Sequence, residues 1–270
     1  MNFYRQILTA SSFIATFSWL GAIGVYTQGL HEISENASTV NQNRSKVSSD
    51  VRSLILKHRK AMFGQRDSDA IVAFRMDGIY EFGGERYPFV VRKMRPQLFR
   101  LELTTPNGIM IQGYDGSRGW LTPIGADPLK GSQWMDRHGD SSMQRDAVLF
   151  NYLIEQGSDS IKMDPLTNDA GVPGVKVTLP NGGLVNYWLN PETMLVQREM
   201  KTDFEDGAVK FRTIELSDYR EIDGVQIAHR AVGYVSGELE SVMNLEQFEF
   251  VDGFDEAIFQ FPGAPKLEAD

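Results

Sequence analysis

Histidine and serine are two of the residue types in this chain that could supply a general base, a metal ligand or a nucleophile. The histidines are His31, His58, His138 and His229, and no two of them have the short spacing of a metal-binding pair. Ser236 lies in Gly-Tyr-Val-Ser-Gly, one residue off the nucleophile elbow Gly-x-Ser-x-Gly, and no predicted helix follows it. These patterns favour structural roles, so we predict no catalytic site and no bound metal.

The remaining chemistry-bearing patterns are equally sparse. The chain has no cysteine, which excludes disulfides, thiolate metal sites, a cysteine nucleophile and lipid attachment at an N-terminal cysteine. Asp115 and Asp223 each precede a glycine, which is typical of carboxylates in hairpin turns. No glycine-rich phosphate loop occurs. We therefore predict that the protein is not an enzyme and needs no cofactor.

Composition narrows the choice of partners. Lys and Arg number 27 against 36 for Asp and Glu, a net charge of -9, so a nucleic-acid partner is not expected. Hydrophobic residues make up 41% of the 270 residues, enough for one large β-rich domain with a substantial core.

The N-terminus predicts the compartment. Arg5 precedes a mainly apolar run at residues 7–25, so residues 1–24 are predicted to be a signal peptide or a membrane anchor. Ala22 and Gly24 have the spacing that a signal peptidase reads, whereas a run of about 19 apolar-leaning residues can also span a bilayer. In either case the domain is exported to the periplasm. If the segment is retained, it anchors the domain in the inner membrane.

A polar linker and a folded domain follow. Residues 25–48 are rich in Asn and Ser and predict a linker, and residues 49–265 form the predicted domain. The domain opens with a helix capped by Ser49 or Asp50 and closed by Gly64. His58 falls within the apolar stripe of this helix, which favours a core-edge histidine with a backbone partner over a ligand or base.

From Asp69 onward the hydrophobic period is two, which indicates antiparallel strands with one apolar face. Turn signals separate the strands and predict ten or more of them in sequential hairpins, a number that makes a sheet curl. We therefore predict a mainly β (α+β) fold built on one curved antiparallel sheet. The turn signals are Gly83-Gly84, Asn107-Gly108, Asp115-Gly116, Asn181-Gly182-Gly183, Asp206-Gly207, Asp223-Gly224 and Ser236-Gly237.

A second helix is predicted in the middle of the strands. Ser141 and Gln144 fit a capping box, and Gly157 can end the helix. The helix is apolar over more than half its circumference, so it either plugs the sheet or covers something removable. Its apolar residues are Met143, Ala147, Val148, Leu149, Phe150, Leu153 and Ile154.

The stretch from Met94 to Trp120 resembles a known family. It contains Arg95-Pro96, Leu98-Phe99, a strand ending at Thr105-Pro106, a second strand, Asp115-Gly116 and Trp120. This order resembles the core hairpin of LolA/LolB-like periplasmic lipoprotein carriers, the outer-membrane lipoprotein-sorting proteins. The layout of residues 50–262 follows that family too. The resemblance implies a half-open β-barrel with a helical lid over a cavity for acyl chains.

The resemblance also implies site residues. The strand after the Arg-Pro element faces the cavity in that family, so Phe99, Leu101 and Leu103 are candidates for lipid binding. The family has an arginine early in the sheet that bonds lid carbonyls in the closed state, and Arg75 lies in the corresponding strand. Further apolar residues could line a dry cavity: Phe74, Met76, Phe82, Phe89, Val91, Ile109, Ile111, Trp120 and Phe150.

These expectations together predict an exported carrier or chaperone for lipids or lipoproteins in the cell envelope, with a transfer partner in the inner or outer membrane. The alternative is a membrane-tethered sensor or protein-interaction module of the same fold, which would retain its N-terminal segment. A lipid hydrolase would need a nucleophile, for which Ser236 is the candidate. The chain is longer than the lipoprotein carriers, which leaves its cargo open, and the sequence predicts no oligomeric state.

Overall fold

The computed structural model of the protein describes residues 37–155, 161–167, 171–205 and 208–263. The predicted signal peptide or anchor at residues 1–24 lies outside them. No helix in the described part of the chain is long and apolar enough to cross a membrane.

The described residues form one sheet with a few helices. The helices are α1 (Ala37–Phe63), α2 (Pro128–Gly131), α3 (Arg137–Asp146) and a 3-10 turn at Glu256–Ile258. The strands are β1 (Ala73–Phe82), β2 (Glu85–Met94), β3 (Leu98–Thr105), β4 (Gly108–Tyr114), β5 (Gly119–Thr122), β6 (Gln133–Trp134), β7 (Lys162–Thr167), β8 (Pro173–Thr178), β9 (Leu184–Leu189), β10 (Val196–Glu205), β11 (Ala208–Ile222), β12 (Val225–Val235) and β13 (Glu238–Val251).

All 13 strands belong to one antiparallel sheet, which confirms the predicted fold class. Its order is β6-β5-β4-β3-β2-β1-β13-β12-β11-β10-β9-β8-β7, so β1 pairs with the last strand and the two ends of the sheet are β6 and β7. These ends do not pair with each other. The sheet is therefore curved but open, and it is not a closed barrel.

Glycine at one position lets the two halves of the sheet join. Gly78 on β1 lies at an irregularity in the pairing with β13. A Cβ at Gly78 would lie 2.1 Å from the carbonyl oxygen of Asn244. Only glycine permits this backbone approach, because any side chain would force the two strands apart.

Strand register divides the sheet into two faces. Paired residues share a face, so Leu103, Phe89 and Met110 lie together, and they belong to the same core cluster as Met62 and Phe63 of α1. We call this side, against which α1 packs, the inner face. The outer face of β1 to β5 carries the intervening residues and is covered in part by the C-terminal segment around Phe259.

The first helix is longer than predicted. It begins at Ala37, so twelve residues assigned to the polar linker, 37–48, are helical. It ends at Phe63, and Gly64 follows with a φ of 56° and donates its N–H to the carbonyl of Lys60. Val51 and Ile55 pack in the core, and a helix that is fixed there can propagate through the polar residues that precede it, because each added residue gains a hydrogen bond.

The central helix differs from the prediction at both ends. Asp136 is its N-cap, with its Oδ1 accepting from the N–H of Gly139 at 2.8 Å, and Ser141 lies within the helix, so the predicted capping box is wrong. The helix ends at Asp146, and residues 147–154 form turns instead of further helical turns. Since six of these eight residues are buried, the turns bury consecutive apolar side chains that a continuous helix would have left partly exposed.

Candidate functional site

Residues 147–154, which we call the partition segment, separate two cavities beside the sheet. A groove of about 770 Å³ lies on one side of the segment, and a cavity of about 160 Å³ lies on the other. We call them the outer groove and the inner cavity; the outer groove is distinct from the outer face of the sheet. Val148, Leu149 and Tyr152 line both cavities. The partition segment is therefore a wall that the two cavities share.

The inner cavity has one apolar wall and one polar wall. Its apolar wall comes from β1, β12 and β13, and includes Phe74, Met76, Ile227, Met243, Leu245 and Phe248. Its polar wall holds His58, Lys93, Arg145, Asp146, Glu199 and Lys201. A space of this kind suits an amphiphile, whose chain and polar end need different surroundings.

The outer groove lies between two turns. The β2–β3 turn contributes Arg95, Pro96 and Gln97, and the β8–β9 turn contributes Leu179, Pro180 and Asn181. The guanidinium of Arg95 bonds both carboxylate oxygens of Glu155 at 2.5 and 2.9 Å, and also the carbonyl of Ile71 at 2.8 Å. This bidentate pair fixes the residue that follows the partition segment to the turn at the end of β2.

A small set of contacts holds the partition segment against the inner face. The ammonium of Lys93 donates to the carbonyl of Val148 at 2.9 Å, and the amide of Tyr152 donates to the hydroxyl of Tyr187 at 3.4 Å. The ring of Phe150 packs edge-on against Phe63, with centroids 5.0 Å apart. These attachments are single polar bonds and aromatic contacts, with no covalent constraint.

His58 joins α1 to the partition segment. Its Nδ1 lies 3.0 Å from the carbonyl of Met194, and its Nε2 lies 3.2 Å from Nδ2 of Asn151. Because a carbonyl only accepts, Nδ1 carries the proton and Nε2 accepts from Asn151. Burial lowers the pKa of His58 from 6.5 to about 4, against the opposing effect of the Met194 bond. His58 thus has the backbone partner that the sequence predicts.

A buried charged cluster forms most of the polar wall, and sequence reasoning missed it. Lys201 contacts Glu199 at 2.5 Å and Asp146 at 3.7 Å, and Arg145 donates to the carbonyl of Thr202 at 2.9 Å. Glu199 and Lys201 are on the inner face because they pair with Tyr187 and Val185 of β9. The sequence around them gives no signal, since charged residues on β10 fall on both faces.

Most predicted lipid-binding residues are on the inner face, but few reach the cavity. Phe74, Met76 and Phe150 line it. The others on this face are part of the core or pack against it: Phe82, Phe89, Val91, Phe99, Leu101 and Leu103.

Three predicted lining residues lie on the outer face. Register pairs Ile111 with Glu102 and Trp120 with Gly113. Both residues therefore lie on the face of the sheet that does not carry Leu101 and Leu103. Ile109 shares that face and is 46% exposed. Trp120 is fully buried there, with its Nε1 donating to the carbonyl of Phe259 at 2.8 Å. Their assignment to the cavity is corrected, because successive residues of a strand point to opposite faces of the sheet and a shift of one residue exchanges the faces.

Arg75 is also on the outer face. It bonds Asp77 at 2.9 Å and Glu249 at 3.4 Å, and its neighbour Phe74 points to the inner side. Arg75 therefore does not bond the partition segment, and the predicted latch position is corrected. The cation that bonds a carbonyl of this segment is Lys93, which is paired across β1 and β2 with Phe74.

The serine considered as a nucleophile lies in a hairpin turn. Ser236 occupies the β12–β13 turn with a φ of 50°, and its amide donates to the carbonyl of Phe211. No helix follows it, so it lacks the strand-to-helix turn of a nucleophile elbow. Within the part of the chain that the structure describes, no three His, Asp or Glu side chains are grouped as metal ligands.

Comparison with known proteins identifies the fold. A LolA superfamily protein from Nitrosomonas europaea is similar in structure, with a TM-score of 0.52 and 12% identity over 78% of this chain and 97% of that one. A DUF1329 family protein from Desulfovibrio piger gives a TM-score of 0.49 and 12% identity over 79% and 97% of the two chains. An outer membrane lipoprotein-sorting protein domain from Vibrio parahaemolyticus gives 0.46 and 13% identity over 79% and 94%.

No protein-family model and no curated protein matches the sequence. The first of these structural similarities shows that the chain has a LolA-like fold, as the sequence resemblance predicts.

Proposed function

We propose that this LolA-like protein is exported to the periplasm and holds acyl chains of a lipid or lipoprotein on its inner face, as a carrier or chaperone in cell-envelope trafficking. The observation that carries the proposal is the partition segment, which stands between an apolar surface of β1 and β13 and a larger neighbouring groove. Phe74, Met76 and Phe248 line that surface in the inner cavity of about 160 Å³, and the groove beyond the segment measures about 770 Å³. A ligand entering from the groove would displace the segment and cover the apolar wall in its place.

The small inner cavity supports the proposal that the carrier has a closed state and a loaded state. A volume of about 160 Å³ is close to that of a cavity that binds one benzene molecule, and it is too small for a whole acyl chain. The outer groove supplies the missing space once Val148 and Leu149 move. The proposal therefore requires displacement of the partition segment on loading.

The energies are compatible with that displacement. Burial of a chain of about 16 carbons contributes on the order of 12 kcal/mol before ordering costs, at about 0.8 kcal/mol per methylene. Each polar bond that holds the segment contributes about 0.5–1.5 kcal/mol. Displacement of Val148 and Leu149 costs about a further 1.5–3 kcal/mol for each side chain that loses its burial. The acyl chain contributes more than these terms together, so loading can break the bonds of Val148 and Tyr152, and no catalytic group is required.

A membrane-tethered sensor or interaction module is the second candidate. The outer groove favours it, because Gln97, Gln144 and Asn181 offer amide groups beside the apolar side chains of the partition segment. A protein ligand with mixed polar and apolar contacts would suit such a groove. The two candidates differ at the N-terminus, which a free carrier loses and a tethered module retains. Sequencing the N-terminus of the native protein separates them, and an intact terminus would contradict the free carrier.

The test of acyl-chain binding is native mass spectrometry combined with organic extraction. The protein is isolated without detergent from the cell that produces it, and the mass of the intact complex is compared with that of the extracted lipid. We expect a stoichiometric phospholipid, fatty acid or lipopeptide. A ligand-free protein that also takes up no added lipid would contradict the proposal.

A further inference from the structure

Lys93 differs from Lys201, a second lysine of the inner cavity, in having no carboxylate in ion-pair contact among the described residues. Its ammonium has three protons, and one is donated to the carbonyl of Val148 at 2.9 Å. The other contact of this ammonium is with the ring of Phe99, whose centroid lies 5.8 Å away. Lys201, by contrast, contacts both Glu199 and Asp146.

The two carboxylates that act on Lys93 from a distance are each bonded to another cation. Asp146 contacts Lys201 at 3.7 Å, and Glu155 is held by Arg95. Burial lowers the pKa of Lys93 to about 8, although Asp146 and Glu155 both act to raise it. Lys93 is therefore a charged group at neutral pH whose desolvation is incompletely offset.

The charge of the cavity as a whole favours an anion. Its lining contains the cations Lys93, Arg145 and Lys201 against the carboxylates Asp146 and Glu199. His58 also lines the cavity and is neutral at pH 7, because burial lowers its pKa to about 4. The lining thus carries one excess positive charge, and a cationic head would be repelled.

We propose that Lys93 binds the anionic headgroup of a single-chain amphiphile, a carboxylate or a phosphate, whose chain lies along the apolar wall of the inner cavity. This inference rests on the proposed function and specifies its ligand. Register supports the placement, since Phe74 is the cross-strand partner of Lys93 and Met76 follows two residues along the same face. Phe248 pairs with Met76 and extends the wall onto β13.

The same atom of Lys93 would take part in both the closed and the loaded state. In the closed state its Nζ donates to the carbonyl of Val148. A carboxylate or phosphate is a stronger acceptor than an amide carbonyl, because both partners are then charged. Headgroup binding therefore competes with the bond to the partition segment, and loading favours release of that segment.

The test compares three ligands with the same 16-carbon chain: a carboxylic acid, an alkyl phosphate and an alcohol. Affinities are measured for the protein with the N-terminus that it carries in the producing cell. We expect at least one of the two anions to bind about tenfold tighter than the alcohol at pH 7, as a charge-assisted hydrogen bond implies. Tight binding of both anions assigns a general anion site, and tight binding of one names the headgroup.

Two substitutions isolate the charge of Lys93. Lys93→Met keeps the length of the side chain and should abolish the preference for anions, measured as the ratio of anion to alcohol affinity within the variant, so that loss of the bond to Val148 affects both ligands alike. Lys93→Arg should retain the preference. Arg92→Met is the matched control, because Arg92 lies next to Lys93 but on the outer face with Glu102, and its preference for anions should equal that of the wild type.

The pH profile gives a readout that remains valid if Lys93→Met folds poorly. Since the pKa of Lys93 is about 8, the wild-type preference for anions should fall as pH rises from 7 to 10, whereas Lys93→Arg should keep it. Equal binding of acid, phosphate and alcohol by the wild type, or an anion preference that persists in a folded Lys93→Met variant, would overturn the inference alone. Failure of all three ligands to bind would overturn the proposed function as well.

Discussion

The imidazole of His58 on α1 and the side-chain amide of Asn151 in the partition segment lie 3.2 Å apart. On its other side the same imidazole reaches the carbonyl of Met194 at 3.0 Å. One buried neutral side chain thus joins the first helix, the partition segment and the turn before β10. Its protonation would remove the acceptor that Asn151 uses.

Acid should weaken this junction. The folded-state pKa of His58, about 4, lies below the unfolded value of 6.5, so the stabilisation is full above pH 6.5 and is lost as pH falls towards 4. At pH 4.5 the loss should be about 2–3 kcal/mol in the free energy of unfolding. Urea unfolding at pH 7 and pH 4.5 measures it, with His58→Gln as the reference that cancels other titrating groups. If the free energy of unfolding depends on pH equally in the wild type and in His58→Gln, the assignment of the lowered pKa to His58 is contradicted.

Asn151→Ala should loosen the partition segment. It removes the bond to His58 and the bond from the Leu153 amide to Oδ1 of Asn151 at 3.0 Å. We expect a loss of about 1–2 kcal/mol in stability, together with faster uptake of a fluorescent fatty acid in stopped-flow experiments. Asp115→Ala also removes turn bonds to two backbone amides, but in the distant β4–β5 turn. That control should be destabilised without faster uptake, and a matching acceleration in it would count against a specific role of the segment.

Gly78→Ala should disrupt the junction between β1 and β13. The added methyl would lie 2.1 Å from the carbonyl oxygen of Asn244, so the strands must separate. We expect a destabilisation of about 2–4 kcal/mol, measured by thermal or urea unfolding. Gly183→Ala is the comparison, because its nearest neighbour is the side chain of Asn181 at 3.1 Å, which can move. Similar stability of the two variants would show that the junction tolerates a side chain.

The two faces of the sheet should respond differently to polar substitution. Met76→Ser places a hydroxyl in the inner cavity and should weaken acyl-chain binding about tenfold or more, because it removes apolar contact. Ile109→Ser is made on the outer face at a residue that is 46% exposed, and it should leave binding unchanged. Isothermal titration with a fatty acid checks both, and a larger effect of Ile109→Ser would reverse the assignment of the faces.

The sequence predicts the strands well because turns and alternation agree. Gly83-Gly84 and Asn107-Gly108 each join two strands at the predicted place. Assignment to a face is where the sequence is insufficient. Ile109, Met110 and Ile111 are consecutive apolar residues on β4, so the period of two disappears and nothing local distinguishes Met110 as the inner one.

The partition segment and its polar partners were beyond local sequence reasoning for related reasons. A run of apolar residues from Ala147 onward fits a buried helix and a buried turn equally well. The pairing of Lys93 with Val148 joins residues 55 apart in sequence, and the contact between Lys201 and Asp146 is equally non-local. The charged residues on β10 predict a solvent-exposed strand, and only the register with β9 places Glu199 and Lys201 on the inner face.

The most direct test of the account is to lock the partition segment and measure lipid uptake. The chain has no cysteine, so Arg95→Cys with Glu155→Cys gives one defined pair, at positions now joined by an ion pair of 2.5 Å. A reducible cross-linker would fix the end of the segment to the β2–β3 turn. Arg198→Cys with Glu215→Cys is the matched control, because that 3.0 Å ion pair joins two strands that need not move.

We predict that the Arg95/Glu155 cross-link blocks uptake of a fluorescent fatty acid, that reduction restores it, and that the Arg198/Glu215 cross-link has no effect. Undiminished uptake by the fully cross-linked Arg95/Glu155 pair would contradict the claim that ligand enters by displacing this segment.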